Sequence, residues 1–597
     1  MRRINATLRR GFGQAEEGFA LIMVLGIGLV LLIISTTAIS LSISDIQKAR
    51  GDQDFAAAES AAYAGVADYE AKLSNNNTYY IYGNPSSSFS PANTVTLPPT
   101  TNPAFSLGNG GTTGYGTWAP VPGGDLTGGA MYRYEVDNSK YASTGIIRLR
   151  ATGRAGTSVR SLVVNVKQHG FVDFMYFTNY KLQDPAQADA SCVPTYDWQT
   201  PHDTSRCNQI QFAPSDVIKG PVHSNDTIRV CGSTFTQGFT SSDPVSPYYK
   251  PVGGCSAPSF PGGNPTYSAT VDMPPTNSQM RQEVRSDLPA SVPNPGCLYT
   301  GPTSVIFNSD GTMTVRSPFT KATNVAMNTS TGALTVGSTP SQCGLIGNVA
   351  NGLGSTAGAT ISVLNSNLMF VQDVPSSTGD PSNPNAWGST TYPTGFTCNN
   401  ASSVSGWKFG TLAYPMTNES VPAATPVHYG CRKGDVYVNG AMHGTMTISA
   451  DNYIYVTGDI TYVNGITDML GLVGTNAVWV WNPFNSSGVP LLGTNREIDA
   501  AILSLRHTFQ VQNYTLGSSP RGTLTVFGAI AQQFRGTVGQ STNGTSITQG
   551  YSKAYNYDTR LQFQAPPKFL SPVSATYGIS QVVEVKSPFL ADGSYGP

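Results

Sequence analysis

From Phe19 to Ser44 the chain runs for 26 residues without an Asp, Glu, Lys or Arg. This stretch constrains the fold more than any other feature. Wound as a helix at ~1.5 Å per residue it reaches ~39 Å, enough to cross a ~30 Å hydrocarbon core. Arg2, Arg3, Arg9 and Arg10 precede it. Glu16 and Glu17 dilute that charge but count little in setting orientation. The expected arrangement is a cytoplasmic leader over 1–18, a transmembrane helix over 19–44, and the remaining chain outside the cytoplasm.

Three exported readings fit such a segment. One is a cleaved secretory signal with Ala38-Ile39-Ser40 as its small-x-small site. A second is an uncleaved single-span anchor. A third is a prepilin-like signal, in which a short basic leader ends at Gly18 and the peptidase releases Phe19, leaving the apolar helix on the mature protein. The following residues favour the third. Phe55, Ala58, Ala62, Val66, Tyr69 and Leu73 recur at spacings of three and four, one face of an amphipathic helix that Asn75-Asn76-Asn77 ends. A secretory signal has no reason to run on into such a helix. A pilin plan does, with the apolar half in bilayer or filament and the amphipathic half backing a head.

On these residues, Glu17-Gly18-Phe19-Ala20-Leu21 followed by Ala56-Ala57-Ala58-Glu59-Ser60-Ala61-Ala62-Tyr63-Ala64-Gly65, the chain resembles the N-terminal domain of PilX-type minor pilins over about residues 10–75. The resemblance implies type IV pilus assembly, cleavage between Gly18 and Phe19, and prepilin peptidase and other pilins as partners. It gives Leu21, Ile22, Met23, Val24, Leu25, Leu29 and Ile33 a role in membrane and filament packing. Major pilins carry Glu at the fifth mature position, where this chain has Met23. A minor or tip subunit is therefore expected rather than a repeating shaft subunit.

Charged residues make up 12% of the whole, against ~25% in ordinary globular chains, and the net charge is −1. No basic stripe appears, so nucleic acid is not an expected partner. With 24 Phe, 29 Tyr and 6 Trp the chain is not a disordered one, and its 63 Gly and 41 Pro mark a turn-rich, mostly β protein. Residues 84–128 read as a long loop. Alternating segments at Met131–Val136, Ile146–Gly153 and Val159–Val166 read as antiparallel strands lying on the amphipathic helix. Together they make a small α+β pilin-like head over 45–168. Beyond it, over 169–590, apolar pairs recur between Gly, Asn and Asp corners: Val436 and Val438, Met446 and Ile448, Ile454 and Val456, Val478 and Val480, Phe509 and Val511, Leu524 and Val526. A right-handed parallel β-solenoid is favoured over an antiparallel sandwich, because stacked coils bury a face that no coil buries alone. The segments Ile498–Leu503, Gly522–Gln532, Arg535–Gly539, Gly550–Leu561 and Pro566–Leu570 are similar to the C-terminal region of large bacterial PilX-like surface proteins.

Eight cysteines, Cys192, Cys207, Cys231, Cys255, Cys297, Cys343, Cys398 and Cys431, all lie on the exported side. Their even number fits disulfides, and pairing between sequence neighbours is expected because a local bridge pins an excursion most simply. No two sit two to four residues apart, and none of the six histidines forms a metal-binding pair, so no metal or cofactor is expected. Asn308-Ser309-Asp310-Gly311 reads as a turn rather than a Ca²⁺ loop. Trp479 with Trp481, and Tyr551, Tyr555 and Tyr557, read as packing over the solenoid, with sugar or protein binding as the alternative. The expected function is structural and adhesive, with a surface glycan or host ligand as candidate partner. The rival is an exported carbohydrate-active enzyme or surface lectin, for which Asp435, Asp451 and Asp459 are the nearest carboxylate cluster. Their places beside turns suggest solvated corners.

Overall fold

A computed structural model describes residues 17–594 apart from 77, 92–93, 101, 106–117, 124–128, 142–144, 189, 215, 290, 384–391, 402–403, 422–427, 542–545 and 574–576, and describes no side chains at 17–20, 400–405 and 580. The basic leader lies outside these residues. Gly18 and Phe19 are present as backbone in the first turn of a single unbroken helix, α1 (Glu17–Asn75). Its 59 residues span roughly 88 Å at the rise of an α-helix.

The last third of α1 belongs to a head. Ala58, Ala61, Ala62, Val66, Tyr69 and Leu73 are all buried. They face an antiparallel sheet of β1 (Ala119–Pro120), β2 (Met131–Asp137), β3 (Ile146–Ala155) and β4 (Ser158–Gln168). Phe55 departs from the expected face. It is 52% exposed and carries the Arg160 guanidinium 3.7 Å from its ring, so the buried stripe starts one turn later. The small residues of the Ala-rich stretch have a steric reason. A Cβ built on Gly153 of β3 would lie 2.1 Å from the Ala58 carbonyl oxygen and 2.4 Å from the Ala62 nitrogen. Helix and sheet backbones touch here, which only Ala on one side and Gly on the other permit.

The fifth strand of this sheet is not among the expected three. Tyr577–Val585 returns from the far end of the chain and pairs antiparallel with β4, from Tyr577 opposite Gln168 to Val585 opposite Ser161. The β-rich region over 169–590 is thus inserted between two neighbouring strands of the head, and its last residues belong to the head. After this strand the chain crosses to Arg133 and Arg154. Phe589 and Trp118 flank the Arg133 guanidinium at 4.4 and 4.2 Å, and Arg133 donates to the Gly593 carbonyl at 2.9 Å. Local alternation cannot announce a partner 400 residues away.

Within the β-rich region most pairing is parallel. One ladder runs through Thr303–Phe307, Val436–Met442, Ile454–Tyr462, Val478–Val480 and Phe509–Val511. A second runs through Cys297–Thr300, Asn367–Gln372, Thr445–Ala450, Met469–Gly474, Arg496–Ser504 and Thr523–Phe534. The register stacks like on like: Val436, Ile454, Val478 and Phe509 form one inward column, Val438, Val456, Val480 and Val511 the next, all buried. The sheet is nevertheless mixed. Thr312–Arg316 adds antiparallel to one end and Ala359–Ser362 to it, the first through the turn at Asn308–Gly311. Phe396–Ala401, Val404–Phe409 and Leu412–Tyr414 form a separate antiparallel sheet.

The order of tiers in space differs from their order in the chain. Thr523–Phe534 pairs along its first half with Ser552–Tyr557 and along its second half with Tyr176–Tyr180. These two pair onward with Val217–Lys219 and Val222–Ser224. One tier is therefore made of the first and last strands of the inserted region. Disulfides join Cys192 to Cys207, Cys231 to Cys255, Cys297 to Cys343 and Cys398 to Cys431, sequence neighbours in each case.

The contact at Gly153 makes a specific prediction. Gly153→Val should destabilise the head by about 1–3 kcal/mol through overpacking, read as a lowered first melting transition. Gly51→Ala, on an open stretch of the same helix with nothing within 4 Å, should leave that transition unchanged or slightly raised.

Candidate functional site

The first half of α1 carries the surface that the sequence singles out. Leu21, Ile22, Met23, Val24, Leu25, Leu29 and Ile33 expose between 53 and 68% of their area. Ile39, Leu41, Ile43 and Ile46 continue the exposure. Its most apolar 18-residue window has a mean hydropathy of 2.6 and none of it is buried, so by length and composition this helix can cross a membrane. Three of its hydroxyls are satisfied inside the helix. Thr36 and Thr37 donate to the Ile33 carbonyl at 3.0 and 2.8 Å, and Ser40 to that of Thr36 at 2.8 Å. A surface this apolar, with its backbone polar groups bonded within the helix, suits lipid or a neighbouring helix.

The three aspartates proposed as a cluster separate into two environments. Asp435 is fully buried, not a solvated corner. Its Oδ1 accepts from Asn452 Nδ2 at 2.6 Å and from the Tyr453 N–H at 3.1 Å, and Asn452 Oδ1 accepts from Asn476 Nδ2 at 2.6 Å. The result is a side-chain ladder up one corner of three tiers, ended by the carboxyl. Oδ2 of Asp435 has no partner among the described residues. Asp451 stands beside Asp373, whose N–H it accepts at 3.1 Å, while Asp373 accepts from Gly434 N–H and Lys433 Nζ. Burial raises Asp435 to about 7 and Asp451 to about 6. Asp459 lies elsewhere, its side chain 57% exposed, accepting from the Glu497 N–H. Sequence spacing missed Asp373 and the Asn452–Asn476 ladder, because only tier register aligns residues 24 to 78 positions apart.

The aromatic groups are interior. Trp479 and Trp481 are buried, and in register Tyr437 stacks on Tyr455, 5.0 Å between centroids, with Trp479 the next member of the column. The outward face of this ladder is therefore aromatic rather than polar. The 396–431 excursion covers it: Tyr414 stacks on Tyr437 at 4.1 Å, Trp407 Nε1 donates to Tyr437, and Trp481 Nε1 to Tyr429. Cys398–Cys431 closes that cover. Tyr551, Tyr555 and Tyr557 are buried too, with the Tyr557 hydroxyl donating to the Val172 carbonyl at 2.8 Å. The histidines have local partners: His169 with Asp173, His202 with the Thr195 carbonyl, His223 with Asn225, His428 with Tyr455, His443 with Asp468 and His507 with Asp184.

A carboxyl raised above its unfolded value near ~3.9 favours the folded state only while protonated, so its contribution falls as pH rises from about 4 through about 7. Asp435→Asn, which keeps the accepting oxygen, should stabilise the protein more at pH 8 than at pH 5, by up to about 3 kcal/mol, in denaturant titrations at the two pH values. Replacing Cys398 and Cys431 by Ser should cost about 2–4 kcal/mol and loosen the aromatic cover, giving a red-shifted, more acrylamide-quenchable tryptophan emission.

No family model matches the chain, and no curated protein matches it. Among solved structures, the competence-associated pilin ComZ from Thermus thermophilus aligns over 89% of this chain and 97% of its own, at 11% identity and a TM-score of 0.24. A score that low bears on neither fold nor function.

Proposed function

We propose that this chain is a minor-pilin-like surface protein of the PilX type, structural and non-catalytic, held in the membrane by α1 with its N-terminus in the cytoplasm. The observation that carries the reading is the single helix whose first half is apolar and bare and whose last third is buried under an antiparallel sheet. An ordinary signal peptide would have no reason to be continuous with the core helix of the domain it exports. In this reading prepilin peptidase cuts between Gly18 and Phe19. Leu21 to Ile33 then pack against lipid or the helices of other pilins, and the head sits at the membrane or filament surface. Met23, in place of an acidic residue, leaves no carboxylate to pair with a neighbour's terminal amine, which suits a minor subunit.

We read the parallel tiers as coils of one right-handed solenoid, carried outward as an adhesive module toward a surface glycan or host ligand. The stacked inward columns support the solenoid, and insertion between two head strands supports a fixed mount. Asp435 and Asp451 are read as structural corners, since the polar contacts of Asp435 are to its own ladder and those of Asp451 to the neighbouring tier.

Mass spectrometry of the mature N-terminus, on cell-bound and sheared material, tests the proposal. A chain beginning at Phe19, N-methylated, is the expected result. A chain beginning near Leu41 would make the protein a secreted one and overturn the pilin reading, and an intact Met1 would reduce it to a membrane-anchored surface protein.

A further inference from the structure

The tier built from the first and last strands of the inserted region encloses an excess of positive charge. Lys181 directly follows the strand Tyr176–Tyr180 and Arg535 directly follows Thr523–Phe534; they are 0% and 1% exposed. Both lie against the same ring: Lys181 Nζ is 4.3 Å and the Arg535 guanidinium carbon 3.7 Å from the centre of Phe212. Lys553, on Ser552–Tyr557, is the third cation.

The nearby carboxylates are already engaged. Asp216 accepts from Lys553 Nζ at 2.7 Å and from the Ala213 N–H at 2.9 Å. Asp226 accepts the backbone N–H groups of Lys181, Asp197 and Thr227 and faces His202 at 3.3 Å. That leaves Lys181 Nζ and Arg535 Nη2 buried without a hydrogen-bond partner among the described residues. The guanidinium's one contact of this kind is a long one, 3.4 Å, to the Ile210 carbonyl. A guanidinium does not deprotonate inside a protein, and the Phe212 face that both cations lie over attracts them but accepts no strong hydrogen bond, so a buried Nη2 donor left without an acceptor is costly. Burial and the Arg535 charge both push Lys181 toward its neutral form. Deprotonation of Lys181 would relieve one cation and leave Nη2 of Arg535 unsatisfied.

We propose that this tier binds a small monovalent inorganic anion of the halide class, held by Lys181 Nζ and Arg535 Nη2 beside Phe212. One anion would satisfy both donors and neutralise the excess at the point where the two ends of the inserted region meet. It would therefore act as a clasp on closure of the fold.

The test uses the full-length protein in detergent, with sodium gluconate replaced by sodium bromide at constant ionic strength. The melting temperature is expected to rise by about 2 °C for each tenfold increase in bromide. Lys181→Met should flatten that dependence. Crystals grown in bromide should show an anomalous peak within hydrogen-bonding distance of both Lys181 Nζ and the Arg535 guanidinium. Equal melting in bromide and gluconate, an unaltered bromide response in Lys181→Met, or an empty site in the bromide crystals would each overturn the proposal. Should Lys181→Met fail to fold, the wild-type bromide crystals decide.

Discussion

Two strand pairings between distant parts of the chain hold everything beyond the apolar helix together. Val164 of the head meets Val582, and Tyr176 at the start of the inserted region meets Ile530 near its end. Neither pairing is local, so the closure entropy of a very long loop is met before either ladder forms. Once both are made, the head has its fifth strand and the stack has its missing tier. The local disulfides are subordinate to this, each tying an excursion to a neighbouring position.

What the sequence shows and what it hides divide along the same line. The exposed apolar run, the spacing of Ala58 to Leu73 and the alternation of β2 to β4 are short-range patterns, and they are legible because helix and strand periods are local properties. The inward columns were legible as well, since Val436 with Val438 and Ile454 with Val456 already alternate. Hidden were the features that depend on register between tiers. Tyr437, Tyr455 and Trp479 look like outward residues of three separate strands, and only their stacking, with the excursion laid over them, makes them a core. Asp435 looks like a turn residue in water until Asn452 and Tyr453 are placed above it. The return of Tyr577–Val585 to the head has no sequence mark beyond a β-rich composition shared with a dozen other segments.

The topology also bears on how such a chain is made. It enters the stack in its middle, runs outward through Val222–Ser224 and Phe239–Ser241, crosses to the opposite end at Cys297–Thr300, and returns tier by tier to its starting point. As the chain is made, the first strand Tyr176–Tyr180 has a partner on one side only until residue 530 appears. The antiparallel strands at the far end move the edge from Thr303–Phe307 outward to the short strand Ala359–Ser362, and a short edge offers little backbone to other chains.

The position of the insertion has a mechanical consequence. Both chain crossings between head and stack leave from one end of the β4 pair, at Gln168 and Tyr577, which lie opposite each other. A pull on the far tiers would load these two strands side by side and in the same direction, so it would not peel one from the other. The tension would pass instead into the ten-pair ladder between β3 and β4, along its length, and from there to α1 through the contact at Gly153. A ladder loaded lengthwise yields only when many hydrogen bonds fail together. The inserted region is thus fastened to its helix by a shear joint rather than by a hinge.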